Sequence, residues 1–371
     1  MKNKISIVKC NDYTNDNLKN ALRQAVNNSP MPQVKGKSVL LKPNILSDSP
    51  SSSCITTNPE FLREVIKLLK EEGAAKIYVG DSPGLAPLGF KPVKCGIYDV
   101  IKEENATWVD FVKNQTTHNL NVGKKKIKLP LAKIISEVDL IFSLPKFKTH
   151  ELMYATGSIK NLFGLVPGLH KSPNHLHFPS RTSFAKLIVE IYKIVKPDYT
   201  IMDGIIGMQG PGPANGNPKP LNLIIAGSNL PSVDAAQAII MGYKPMQIPV
   251  LRELQSQKLF NLFESEYPVL DCNNIICKDF EKIQIREKTK FFSSLIIPFL
   301  SKGIEEKKQK KEKTPVFNDN CIKCGRCVKI CPAKALTMTD HGVKIDSKKC
   351  IRCYCCHEVC PANAIDIVGR N

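Results

Sequence analysis

Short apolar runs punctuate the first 230 residues, and most close on Lys, Asp, Gly or Pro. ISIVKC (5–10), SVLLKP (38–43), KIYVGD (76–81), VDLIFSLP (138–145), TIMDG (200–204) and LIIAG (223–227) have the length of buried strands running into functional loops. Helix-period stretches lie between them. NPEFLREVIKLLKEEG (58–73) offers Asn58 as N-cap, Pro59 in the first turn and Gly73 past the end. SRTSFAKLIVEIYKIVKP (180–197) repeats the logic, with Ser180 at the start and Pro197 at the stop. The alternation predicts a layered α/β domain with a mostly parallel sheet, whose ligands sit beyond the carboxyl ends of the strands.

The pattern breaks at SKGIEEKKQKKEKTP (301–315), which is charged and ends in proline. This divides the chain into an α/β domain (1–300), a charged linker (301–314) and a small α+β module (315–371). Ahead of the linker, FFSSLIIPFL (Phe291–Leu300) is far shorter than the ~20 residues of a membrane span and contains a proline. It reads as a packed helix end or, flanked by lysines, as a peripheral membrane contact.

Charge and cysteine content narrow the class. The chain carries 53 Lys and Arg against 34 Asp and Glu, a net +19, and its last 58 residues hold only nine against five of these. The surplus therefore belongs to the larger part, and it suits an anionic ligand, an acidic partner or an anionic surface. No segment interleaves aromatics with arginine, so nucleic-acid binding is not expected. Fourteen cysteines and no secretory h-region in MKNKISIVKC imply a reducing cytoplasm, and metal ligation in place of disulfides.

Nine of those cysteines fall in CIKCGRCVKICP (321–332) and CIRCYCCHEVCP (350–361). The first has Cys321-x2-Cys324-x2-Cys327-x3-Cys331-Pro332. The second repeats it 29 residues later with Cys350, Cys353, Cys356, Cys360 and Pro361. CPAKALTM then matches CPANAIDI, so the module is an internal duplication. It strongly resembles the bacterial-type ferredoxin domain with two [4Fe–4S] clusters. Zinc is the competing reading, but zinc sites favour paired C-x2-C units. Three closely spaced cysteines wrap three corners of a cubane, and the fourth comes from the other run. Cys321, Cys324, Cys327 and Cys360 are thus expected to hold one cluster, and Cys350, Cys353, Cys356 and Cys331 the other. Cys355 aligns with Arg326 and reads as a filler. The five remaining cysteines read as core residues.

In the larger domain four segments stand out: LLKPNIL (40–46), VGDSPG (79–84), LPKFKTHELMYATGSIKNLFGLVPG (144–168) and MDGIIGMQGPGPANGNP (202–218). Together these closely resemble the family catalogued as domain of unknown function 362, which is often fused to such a ferredoxin module. That family has no settled activity, so the resemblance implies an architecture and no reaction. From the residues, Lys146, Lys148, His150 and Lys160 crowd a stretch otherwise apolar or small, a composition suited to a phosphate or carboxylate. Lys148 and Lys160 are expected to hold the anion and His150 to move a proton. Lys42, Asn44, Asp81, Lys146, Asn161 and Asp203 are expected to line the same ligand site. Asp234 either faces that cleft or caps a helix. His170, His175 and His177 read as a covering loop. PGPANGNPKP cannot open a helix, so it is no dinucleotide fingerprint, and no Walker loop is present. Three readings stay open: a ferredoxin-type redox enzyme, an electron carrier or adaptor in a larger redox complex, and an anion-binding protein with structural or sensing clusters.

Overall fold

The computed structural model describes residues 2–285 and 313–369. The stretch Phe291–Leu300 and nearly all of the charged linker lie outside them. At the centre is a nine-stranded sheet. Its strands Lys146–His150, Tyr199–Gln209, Leu140–Leu144, Ser38–Pro43, Lys76–Val79 and Thr107–Trp108 run parallel in that order. Tyr154–Thr156 pairs antiparallel with the first of these. Asn217–Gly227 folds back antiparallel on Tyr199–Gln209 and carries the strand Ser6–Lys9 on its other side.

Successive side chains in a strand face opposite ways, and both faces here are covered. Val39 and Leu41 point into a core shared with the helices Asn15–Asn28, Pro59–Glu71 and Ile97–Glu103. Leu40 points into the opposite core, shared with Arg181–Val195, Leu230–Ile240 and Pro249–Ser256. The expected helix starts are present. Asn58 Oδ1 accepts from Glu60 N at 2.8 Å, and Ser180 forms a capping box with Ser183. The Gly- and Pro-rich segment differs from the loop expected over 204–218. Pairing continues to Gln209 and resumes at Asn217, leaving a short connection in a long hairpin.

The C-terminal module has two small antiparallel pairs, Thr314–Phe317 with Ile365–Val368 and Leu336–Thr339 with Gly342–Ile345. Two short helices, Arg326–Ile330 and Cys355–Glu358, pack together. Its duplication extends to the backbone. The positive-φ residues Lys323, Gly325 and Lys334 recur 29 positions later as Arg352, Tyr354 and Asn363. Ala335 N donates to Cys331 Sγ at 3.3 Å, and Ala364 N to Cys360 Sγ at the same distance. The module rests on the large domain. Tyr354 is buried in the core that holds Phe147 and Phe184, and its hydroxyl donates to Lys313 O at 3.0 Å.

Candidate functional site between the α/β domain and the cysteine module

The strands Ser38–Pro43, Lys76–Val79 and Leu140–Leu144 end on one side of the sheet, and a pocket opens there. Its cavity volume is about 90 Å³. One wall comes from the strand ends and from 156–175, the other from Ile330, Cys355, Glu358 and Val359 of the module.

Of the residues expected at a ligand site, Lys42, Asn44, Asp81, Lys148, Lys160 and Asn161 line this pocket. They are not equivalent. Lys42 is fully buried and committed, with its Nζ 2.9 Å from Asp81, 2.7 Å from Pro43 O and 3.0 Å from Asn161 Oδ1. Asn161 is equally occupied, its Nδ2 donating to Lys42 O at 2.9 Å and to Ser143 Oγ at 3.1 Å. Its expected role at a ligand is taken up by positioning Lys42 and Asn44. Gly164 closes over the ion pair, where an added Cβ would lie 2.1 Å from Asp81 Oδ1 and 2.5 Å from Lys42 Nζ.

The uncommitted groups are others. Lys148 Nζ donates once, to Ile55 O at 2.6 Å. Lys160 has no hydrogen-bond or ion-pair partner among the described residues. Asn44 Oδ1 and Thr156 Oγ1 are buried without a partner and belong to residues of the pocket wall. Burial, reinforced by Lys160, pulls the Lys148 pKa well below the usual lysine value, and burial lowers Lys160 as well. Lys171, whose Nζ donates to Ser82 O and Val166 O, is drawn down by burial to about 7. An apolar hollow that holds several ammonium groups disfavours their charge, and a bound anion restores it.

Lys146 and Asp203 lie elsewhere. They form a fully buried ion pair of 2.7 Å, and Tyr13 OH accepts from Lys146 Nζ at 2.9 Å and donates to Asp203 at 2.8 Å. Neither lines the pocket: Lys146 turns to Asp203 on the neighbouring strand, whereas Lys148, two residues on, lines the pocket wall and reaches Ile55 O. Asp234 caps the helix Ser158–Asn161, accepting from Ser158 N at 2.5 Å and Ile159 N at 3.1 Å. Gly157 is required beside it, since a Cβ there would lie 2.4 Å from that carboxylate.

His150 also differs from expectation. Its Nδ1 accepts from Leu152 N at 3.1 Å, and its Nε2 lies 3.2 Å from Glu358 of the module. Burial lowers its pKa to about 3, so the ring is neutral and donates Nε2–H to the carboxylate. It is a docking residue outside the pocket wall. The imidazole on the wall is His175, stacked on Phe184 at 4.4 Å, with no polar partner among the described residues and a pKa lowered by burial to about 4. His170 and His177 are exposed. Lys171, Thr156 and Glu358 had no signal in the sequence beyond the polarity of HKSPNHLH and the spacing of the cysteines.

Within the module, Cys321, Cys324, Cys327 and Cys360 line one cavity, and Cys331, Cys350, Cys353 and Cys356 line another. Among the described residues no three His, Cys, Asp or Glu side chains converge as a single-ion site. Thiolate donors in fours, spread around a hollow, fit the corners of a cubane cluster. Cys355 borders the second cavity and, through its other side, the lysine pocket.

The duplicated cysteine module joined to this doubly covered α/β domain is of the iron–sulfur class and supports a role in electron transfer. Residues 320–364 match the model of a 4Fe-4S dicluster domain, and residues 39–238 match the domain of unknown function DUF362. The chain belongs to the DUF362 family, in a form carrying a ferredoxin-type domain. It is 31% identical over 218 residues to a thylakoid-associated protein of Synechocystis, a match covering 58% of this chain and 66% of that one. The lactate racemase apoprotein of Thermoanaerobacterium thermosaccharolyticum is similar at 13% identity and a TM-score of 0.40, over 62% of this chain and 55% of that one. A structural-genomics protein of Thermotoga maritima is similar at 12% identity and a TM-score of 0.38, over 67% and 60%. Among the described residues no helix is long and apolar enough to cross a membrane.

Proposed function

We propose that the protein passes electrons between two [4Fe–4S] clusters and an anionic ligand held in the lysine pocket. Cys321, Cys324, Cys327 and Cys360 would hold one cluster, and Cys331, Cys350, Cys353 and Cys356 the other. Each cluster, when bound, accepts or releases a single electron. The observation that carries the reading is Cys355, one residue that walls both the second cysteine cavity and the pocket. A ligand there would face the second cysteine cavity across the Cys355 side chain.

The chain's own groups do the rest. Lys148, Lys160 and Lys171 bind the anion and stabilise negative charge added to it, with little reorganisation because their surroundings are fixed. Asn44 and Thr156 turn their unpaired atoms to the ligand and set its orientation. His175 is the imidazole positioned to exchange a proton with it. His150 and Glu358 hold the two walls in register. Electrons enter or leave through an external one-electron partner protein.

The test is anaerobic purification of the full chain with and without Lys160→Ala and Lys148→Ala. About eight iron and eight sulfide per chain are expected in all three. Wild type should retain a small anion identifiable by mass spectrometry, and both variants should lose it while their clusters remain reducible by dithionite. Retention of the same ligand by both variants would place the ligand elsewhere. A ligand-free wild type, inert without a partner complex, would favour the adaptor role.

A further inference from the structure

A second hollow adjoins the lysine pocket. It is formed by 46–55, 83–90 and 214–218 of the large domain, facing Arg326 and 358–363 of the module, and its cavity volume is about 640 Å³. Leu46, Pro83, Gly84, Glu358 and Val359 line both hollows, so the two adjoin along these five residues. The inner part gathers the lysines. The outer part is mixed, with Leu46, Ile55, Leu85, Phe90 and Val359 set among Ser47, Ser49, Ser52, Ser53 and Asn363. Its charged groups, Asp48, Lys94, Arg326 and Glu358, include both signs.

Resting on the anion-pocket reading above, we propose that the ligand is an elongated molecule with a dianionic, phosphate-monoester-like head in the inner hollow and a partly apolar body that reaches past the shared residues into the outer one. The charge of the head follows from the inner wall. Lys42 is cancelled by Asp81, which leaves Lys148, Lys160 and Lys171 against Glu358, an excess of two positive charges. The body follows from the outer wall, where apolar side chains gain free energy by being covered in proportion to the area removed from water. The inner hollow, at about 90 Å³, has room for a head group and little more, whereas the adjoining one, at about 640 Å³, has room for a body. Cys355 borders the inner part and Cys360 the outer. A molecule filling both therefore lies along both cysteine cavities.

The experiment is titration calorimetry of the anaerobically purified full chain with inorganic phosphate, methyl phosphate, butyl phosphate and octyl phosphate. Octyl phosphate is expected to bind at least tenfold tighter than methyl phosphate. Leu85→Trp, which fills the outer part, and Leu85→Asp, which makes it polar, should each erase that gain and leave methyl phosphate within about twofold of wild type, since Leu85 does not touch the head. Equal affinity for methyl and octyl phosphate would overturn the elongated ligand while leaving the anion pocket standing. A chain-length gain that survives both Leu85 variants would overturn it too, because the chain would then bind elsewhere. Failure of every probe, inorganic phosphate included, would overturn the anion pocket itself and this inference with it.

Discussion

The most consequential side chains are lysines with too few partners. Lys148 and Lys160 have pKa values lowered by burial, and an anion placed between them raises those values again. Lys171, lowered to about 7, lies in the same wall, so an anion that raises these values should bind with proton uptake around that pH, and affinity should fall as pH rises through it. Calorimetry in buffers of different ionisation enthalpy reads this directly, and zero proton uptake would mean that these ammonium groups are already charged or are not the ligands. Lys42 obeys another rule. It is paired with Asp81 out of water, so breaking the pair leaves a buried charge. Gly164→Ala forces a methyl group onto that pair and should cost about 3 kcal/mol in denaturant titration.

Among the elements, the short helix Ser158–Asn161 matters most, because it carries Lys160 and Asn161 into the pocket. A helix of this length has no stability of its own in water. The carboxylate of Asp234, at 7% exposure on the neighbouring helix Leu230–Ile240, holds its first amides in place. Asp234→Ala should leave two buried donors unpaired, lowering stability by about 2 kcal/mol. It should also weaken phosphate binding, while the conservative Asp234→Asn, which keeps one acceptor, should lose less of both. Equal phosphate affinity in wild type and Asp234→Ala would show that Lys160 is placed without the cap.

At the scale of the molecule, the two parts meet through Tyr354, the His150–Glu358 contact and a Lys313–Glu151 ion pair at 3.5 Å. Glu151 is nearly inaccessible, so water screens this pair weakly. Separation would expose the Tyr354 site in the main core. Cleavage at a protease site inserted within 301–312 should therefore give fragments that still co-elute on size exclusion. Independent migration would mean that only the covalent connection holds the module to its pocket. Replacing His150 with Ala removes one tether and should speed dissociation of the cut fragments while iron content stays unchanged.

The chain alone determined a good deal. Apolar runs flanked by caps and stops located six strands and two principal helices, because local periodicity and end signals are properties of contiguous residues. The 29-residue repeat pointed to the 4Fe-4S dicluster module for the same reason, since the spacing of thiolates is a property of contiguous residues. Lys148 and Lys160 were legible as a concentration of cations in an apolar stretch. Which cations remain free was decided by the tertiary structure. Lys146, two residues from Lys148, is cancelled by Asp203, 57 positions away. His150 was singled out as a proton carrier yet faces Glu358, while His175, one of three histidines in a polar loop, reaches the pocket. The place of the module itself, with Cys355 against the ligand wall, has no local signature. Burial, desolvation and pairing across the sequence arise only when distant segments pack, and those three effects select which of the legible residues can do chemistry.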